Sequence, residues 1–452
     1  MEKLHILLCL AVPLVLCSVA FSQGGNVWEG GGSDNRWANT ANWSFGILPP
    51  NATTHPYNGW DDPDGVFYPL TPDPSDDQSP GVNDAKLARN GTLTLVDDSV
   101  THATAYGVRV GNGGASNVLQ VTGGRLDIGI DPDAPVNANA VGWHLQVGRG
   151  FPGFDGGPIN EDPLATVLMS GGEINTNGLL IPEQFVDNSL PDPTDSAPLN
   201  GELIMSGGVI NARWMNLGQL KGNGTAILSG DAAINLASNV AGDPANGGHL
   251  SFNRNWFVDG LPVPSSGNVH MDLNNDAVIS IFGHVSEFIV SPGQDEADRY
   301  QGYVDTHELT AWGGTASPVI TLDTTTGPSP FITIEAPTVP GDYNNDGVVD
   351  AADYTVWRDN EGGSVTLNGE DENAATPGVV DQEDYDYWAA NFGLTAADVS
   401  PLPSLDANAV PEPGGCMLLA IGAPFLGTSN RQSSNCKRNG LQSMLSTTTT
   451  NS

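Results

Sequence analysis

The sequence predicts an all-β protein, a right-handed parallel β-helix (solenoid) that hands over to a small α-helical domain. Three observations carry this expectation. The composition, with 56 glycines and 33 prolines against 15 Lys plus Arg in 452 residues, favours turns and short strands over helices. A strand–glycine–strand unit recurs through the middle of the chain, and a loop–helix unit is duplicated after it.

The chain length leaves room for two or three domains. Residues 1–22 read as a secretory signal: Lys3 near the start, an apolar run from Leu4 to Phe21, and Ala20 and Ser22 spaced for a peptidase. Residues 23–100 form a Trp/Gly-rich β segment and an acidic loop. Trp28, Trp37 and Trp43 fit either a sugar-binding platform or, the expected role, a cover over the open end of a β-structure. From Asn51 to Asp84 the chain is rich in Pro and Asp and reads as a long surface loop.

Residues 101–335 carry the repeat. Leu119-Gln-Val121-Thr-Gly123-Gly124-Arg-Leu126-Asp127 is matched by Val167 to Asn175 and by Leu203 to Asn211, with looser copies at Ile227 to Asn235 and His270 to Ser280. A further strand ending in glycine precedes most copies, at Val108 to Gly111, Leu145 to Gly148 and Met215 to Gly218. Such a coil is too small to bury its own apolar face, so coils must stack. Stacking predicts one apolar column, Val121, Met169, Met205 and Leu228, and one polar ladder, Asp127, Asn175, Asn211, Asn235 and Ser280. Residues from Leu309 and from Phe331 read as closing strands, and 336–340 as a Pro-rich linker.

Residues 341–394 hold the duplication. Val348-Val349-Asp350-Ala-Ala-Asp353-Tyr354-Thr-Val-Trp357 is echoed by Val379-Val380-Asp381-Gln-Glu-Asp384-Tyr385-Asp-Tyr-Trp388. In the first copy, Asp342, Asn344, Asp346, Asp350 and Asp353 stand at loop positions 1, 3, 5, 9 and 12, with Gly347 at position 6 and the Val348 carbonyl at position 7. That is the oxygen set a twelve-residue calcium loop requires, so Ca2+ is the expected cofactor. Pro340-Gly341 forbids a helix ahead of the loop, which leaves a half EF-hand. In the second copy Asn373, Asp381 and Asp384 remain, while Ala375 and Pro377 occupy positions 3 and 5, so a weaker site is expected.

The duplicated unit resembles the type I dockerin module, a half EF-hand pair by which secreted proteins dock onto cohesin modules. The resemblance implies a cohesin-like partner, read through loop positions 10 and 11: Ala351 and Ala352 in one copy, Gln382 and Glu383 in the other. After a linker at 395–409, residues 410–438 contain Val410-Pro-Glu-Pro413, a short apolar run and scattered basic residues, and 439–452 reads as a disordered tail. This segment resembles the PEP-CTERM sorting signal, which implies an exosortase-type processing enzyme. The repeats at 26–283 are similar to passenger repeats of bacterial autotransporter-like surface proteins.

A net charge of −38 repels phosphate backbones, which excludes nucleic acid as a partner. Cysteine is confined to Cys9, Cys17, Cys416 and Cys436, so the body of the chain has no disulfide. The eight His show no metal-ligand spacing, and no Gly-x-Ser-x-Gly elbow occurs. Asp295, Glu296 and Asp298 read as a solvated loop rather than paired catalytic carboxylates, and Asp272-Leu-Asn274-Asn-Asp276 as a solenoid turn that imitates the start of a calcium loop. The expected function is that of a secreted or cell-surface structural or adhesion protein that binds calcium and docks to a protein partner. The alternative is a polysaccharide-degrading lyase or glycoside hydrolase recruited by the same module, with an extracellular polysaccharide as partner and a basic residue from Arg125, Arg149, Arg213 or Lys221 at its site.

Overall fold

The computed structural model describes residues 26–27, 36–43, 60–61, 67–68, 84–87, 92–96, 102–105, 107–128, 144–150, 162–184, 197–237, 248–254, 256–258, 261–263, 265–282, 296–323, 331–371 and 373–403. All belong to one compact unit, Met1–Leu405; the remainder, Asp406–Ser452, lies outside the described residues, as do the expected signal, sorting segment and tail.

The described chain is mostly β. Two large sheets form, one of eight strands and one of thirteen, and the chain alternates between them. In the first sheet Asp84–Leu87, Gly107–Asn112, Leu145–Gly150, Gly178–Ile181, Trp214–Gln219 and His249–Arg254 pair in that order, each parallel to the next. In the second, Asn117–Val121, Leu164–Thr176, Asn200–Ala212, Asn223–Leu228 and Val269–Leu273 pair parallel, again in chain order. Each return to a sheet therefore lands one strand further along.

Register follows the sequence repeat. Met169 pairs with both Val121 and Met205, and Met205 with Leu228, so the apolar column is one row, buried throughout. The polar row is equally aligned: the Asn175 amide donates to Asp127 Oδ1 at 2.9 Å, Asn211 to Asn175 Oδ1 at 2.8 Å, and Asn235 to Asn211 Oδ1 at 2.9 Å. Neutral amides suit this row because each can accept from the rung behind while donating to the one before. The glycine corners between rows are sterically required. At Gly208, with φ +85°, an added Cβ would lie 2.6 Å from Met169 Cε and 2.8 Å from the Gly171 carbonyl carbon of the preceding corner. Trp37 and Trp43 meet edge to face at 4.9 Å and join the same buried cluster, so these two rings serve as core.

At the C-terminal end the parallel order stops. The first sheet ends at His249–Arg254, whose edge is met by helix α1, Glu296–Asp305, where the sequence had suggested a solvated loop. The reason is a spacing of three and four among its apolar residues. Tyr300 and Val304 are fully buried, and the Tyr300 and Tyr303 hydroxyls accept from the Leu250 and Phe252 backbone N–H groups at 3.4 and 3.2 Å. The second sheet ends with two antiparallel strands, Phe331–Glu335 on Val278–Phe282 and Val319–Asp323 beyond it. The expected linker 336–340 is packed instead: Val339 is buried in the main core, and the Pro337 carbonyl accepts from Trp312 Nε1 at 3.1 Å.

Three further helices follow: α2, Ala351–Asn360; α3, Gln382–Asn391; and α4, Ala396–Val399. The last was expected to be linker. Thr395 and Asp398 form a capping box there, a start signal written in the sequence. Among the described residues no helix is long and apolar enough to cross a membrane.

The rows carry separable energies. Met205→Ala removes a fully buried side chain and should cost about 2–5 kcal/mol. Asn211→Ala strands its partners on both rungs and should cost about 1–3 kcal/mol. Leu164→Ser, at a position 44% exposed, should change little. Guanidinium unfolding midpoints of the three variants check this ranking.

Candidate functional site

The candidate site is the loop from Asp342 to Asp353, and its shape follows from side chains that bond their own backbone. Asp342 is fully buried; its Oδ2 accepts from Gly347 N–H at 2.7 Å and its Oδ1 from Asp346 N–H at 3.1 Å. Asp346 Oδ1 accepts from Val348 N–H at 3.1 Å. Asp353, also fully buried, closes the ring: Oδ1 accepts from Asn344 N–H at 3.0 Å and Oδ2 from Asp350 N–H at 2.7 Å. Asp350 is the N-cap of α2 and shares a capping box with Asp353, so the spacing of these two acids also sets the helix start. Gly347 turns the chain at φ +86°, and Val349 is buried in the main core.

This brings Asp342, Asn344, Asp346, Asp350 and Asp353 into one short loop. Neutralisation by a basic side chain does not occur there: among the described residues the ion pairs are Arg125–Asp127, Arg149–Glu183 and Arg358–Asp359. Burial pushes the Asp342 carboxyl up to about 6, against the two N–H donors that favour its ionised form, and the nearby Asp353 and Asp346 charges push the same way as burial. A cation would remove that penalty. Among the described residues no three His, Cys, Asp or Glu side chains converge as metal ligands. That holds for the four carboxylates of this loop as they stand, although its oxygen types, carboxylates with the Asn344 amide and the Val348 carbonyl, are those a hard cation takes.

The second copy is built differently from its expected reading. Asn373 lies exposed and its N–H bonds Asp371 Oδ1 at 2.9 Å. The residue that does for Gly378 what Asp342 does for Gly347 is Glu370, whose Oε1 accepts from Gly378 N–H at 3.2 Å. It was missed because it stands eight residues ahead of its glycine, where Asp342 stands five ahead. Asp384 repeats the role of Asp353 by accepting from Asp381 N–H at 2.8 Å. Burial raises its carboxyl, helped by the Asp381 and Glu370 charges. Asp381 is held lower, chiefly by the Thr376 hydroxyl at 2.6 Å.

The two copies clasp each other reciprocally. Trp357 Nε1 of α2 donates to the Asp381 carbonyl at 2.7 Å, and Trp388 Nε1 of α3 donates to the Asp350 carbonyl at 2.9 Å. Gly362 N–H reaches the Val380 carbonyl and Gly393 N–H the Val349 carbonyl, both at 2.8 Å. Tyr354, Trp357, Tyr385 and Trp388 pack between the helices with centroid separations of 5.1–6.1 Å. Each helix therefore holds the loop of the other.

Ala351 and Ala352 are exposed on the first turn of α2, as are Gln382 and Glu383 on α3. The two turns present unlike surfaces. In the second, Glu383 Oε2 accepts from Ala375 N–H of its own loop at 2.8 Å and Gln382 Nε2 donates to Asp386 one helical turn on at 2.9 Å. Elsewhere, Arg149 is buried and pairs with Glu183 at 3.3 Å, Arg125 pairs with Asp127 at 2.8 Å, and Arg213 reaches Asn177 at 3.5 Å. Glu296 and Asp298 lie on α1, and Asp295 falls outside the described residues. No family model, curated protein or solved structure matches the chain.

The Asp342 carboxyl sets a pH dependence in the absence of a divalent cation. Its folded value of about 6 exceeds the unfolded value of about 3.9, so the folded state binds the extra proton between them and loses stability as pH rises through that window. In chelator, Asp342→Asn should be more stable than the parent at pH 7, with the gap closing near pH 4. Urea midpoints at both pH values decide it; a gap that does not narrow on acidification contradicts the assignment.

Proposed function

We propose that the chain is a secreted or cell-surface β-solenoid protein that binds calcium and docks to a cohesin-like protein through its dockerin-like module. The reading rests most directly on the first loop, where two fully buried carboxylates, Asp342 and Asp353, share a ring of backbone donors and, among the described residues, pair with no basic side chain. A calcium ion held by Asp342, Asn344, Asp346, the Val348 carbonyl, Asp350 and Asp353 supplies the missing positive charge.

In this reading the two parallel sheets are the faces of a right-handed parallel β-helix. Support comes from the alternation of the chain between them, the one-strand advance at each return, and the strong right-handed preference of parallel crossovers. The partner face is the first turn of α2, where Ala351 and Ala352 leave a small, bare surface, in preference to the pre-engaged Gln382 and Glu383. The second loop, now with Glu370, Asp381 and Asp384 as its acids, is the weaker cation site. Export by the N-terminal segment and exosortase processing at 410–438 complete the proposal and place the solenoid outside the cell.

A polysaccharide-degrading activity is the second reading. The observation that favours it is the buried Arg149–Glu183 pair, to which the Gln146 amide also donates, on the first sheet. Release of unsaturated or reducing uronic acid from acidic polysaccharides by the purified chain would establish it and displace the structural role.

The calcium reading predicts a ranking. Titration calorimetry on the full chain should show a site tighter than about 1 mM, the weak end for extracellular calcium modules. Asp353→Ala should abolish it, together with any cohesin binding, whereas Asp381→Ala should leave it measurable. Equal losses from the two variants would mean that the loops have been ranked wrongly.

A further inference from the structure

The stretch Asp272-Leu-Asn274-Asn275-Asp276 and the start of the calcium loop, Asp342-Tyr-Asn344-Asn345-Asp346, are spelled almost alike, and the fold presses them together. Their fourth residues, Asn275 and Asn345, share a left-handed backbone with φ +58°, a conformation costly for any residue but glycine and least so for asparagine. The contact is reciprocal. Asn275 Nδ2 donates to the Asn345 carbonyl, and Asn345 Nδ2 donates to Asp276 Oδ1 at 2.7 Å. Asn275 Oδ1 meanwhile accepts from Gly230 N–H of the preceding corner at 3.2 Å.

The corners of the second sheet form a ladder that leads to this contact. Ser229 N–H bonds the Met205 carbonyl at 2.8 Å, Asn274 N–H the Leu228 carbonyl at 2.9 Å, and Trp312 N–H the Leu273 carbonyl at 3.0 Å. The carboxylate of Asp272, buried, locks the last of these corners by accepting from Gly313 and Gly314 N–H, each at 2.9 Å, and from the Thr310 hydroxyl at 2.7 Å. The calcium loop is seated on that final corner. An added Cβ at Gly347 would fall 2.7 Å from Trp312 Cε3, so the turn that the loop needs at its sixth position is also the seat of the indole.

From this continuity we infer that the first calcium loop is the terminal rung of the solenoid's corner ladder, so that a cation bound in the loop stabilises the sheets and not the helix pair alone. The inference rests on the calcium reading above but uses residues outside the ligand set. Asn345 is at loop position 4 and Asn275 in the sheet corner, and neither supplies an oxygen to the proposed cation. Two asparagines in the left-handed region, which glycine adopts without strain, allow a clean test. Asn345→Gly and Asn275→Gly keep the backbone turn and delete the amide that crosses between loop and corner.

The experiment uses the full chain with calcium chloride as the probe. Binding is read by calorimetry, and unfolding of the sheets by circular dichroism at the β-strand minimum, with and without chelator. The parent should show a rise in the sheet melting temperature on adding calcium. Both glycine variants should bind calcium within about threefold of the parent, as expected of residues that are not ligands, while that rise falls to about half or less. An undiminished rise in both variants overturns the inference, as does a parent whose sheets melt at the same temperature with and without calcium. A parent that binds no calcium overturns the site itself, so failure of the site and failure of the coupling give different results.

Discussion

A parallel stack of short strands has no natural end, and that constraint organises this molecule. Each rung satisfies its backbone and its apolar side chains only against a neighbour, so the last rung leaves both exposed. The C-terminal third of the described chain reads as a set of answers to this one problem. Tyrosine hydroxyls of α1 take the N–H groups of the last strand in the first sheet. Strands of reversed direction close the second sheet. The corner row ends on Trp312 and the loop that follows it. A helix, a pair of reversed strands and a loop, unrelated in type, each close a different row because each supplies a different missing partner.

Charge imposes the second constraint. With 15 basic residues against 53 acidic ones, the chain cannot answer each buried carboxylate with an arginine. It uses backbone N–H groups and amides instead. Asp272, Asp342, Asp353 and Asp384 are all buried and all held by N–H or O–H donors, and Asp127, at the head of the amide ladder, adds the Asn175 amide to its Arg125 ion pair. Four of these sit where the chain must turn or begin a helix, so the cost of desolvating a carboxylate is met by donors that would otherwise be unsatisfied. At Asp342, as at Asp384, burial and like charge outweigh those donors and raise the carboxyl.

Much of this was legible in the residues. The period of Val121, Met169, Met205 and Leu228 fixes a register because a one-residue slip would turn the whole row outward. The spacing from Asp342 to Asp353 encodes the loop, and the tyrosine–tryptophan spacing encodes the helix contact. What stayed hidden has physical reasons. Glu370 reaches its glycine across extra residues with a longer side chain, and a fixed-spacing template passes over it. Residues 336–340 have linker composition, but Ala336 and Val339 join the core and Trp312 Nε1 donates to the Pro337 carbonyl, contacts no local pattern records. The stretch at 296–305 is too acidic to look like a core helix, since only Tyr300, Tyr303 and Val304 carry its packing. Asp272 to Asp276 could be seen as an imitation of a calcium loop, but not that it faces the loop it imitates.

The in-register rows have one more consequence, for how the molecule can change length. Between Asn200 and Asn223 the chain visits both sheets and returns in 23 residues, and both ends of that segment occupy equivalent places, since Asn223 Nδ2 donates to Asn200 Oδ1 across the rung at 2.8 Å. Excising or duplicating such a segment joins like to like: methionine still meets leucine, asparagine still meets asparagine, and neither terminus of the stack is disturbed. Each step moves the two ends by the spacing of neighbouring strands, about 4.8 Å. The repeat is therefore a modular unit, whose removal or duplication changes both sheets by whole rungs and leaves the seat of the loop and helices as it is.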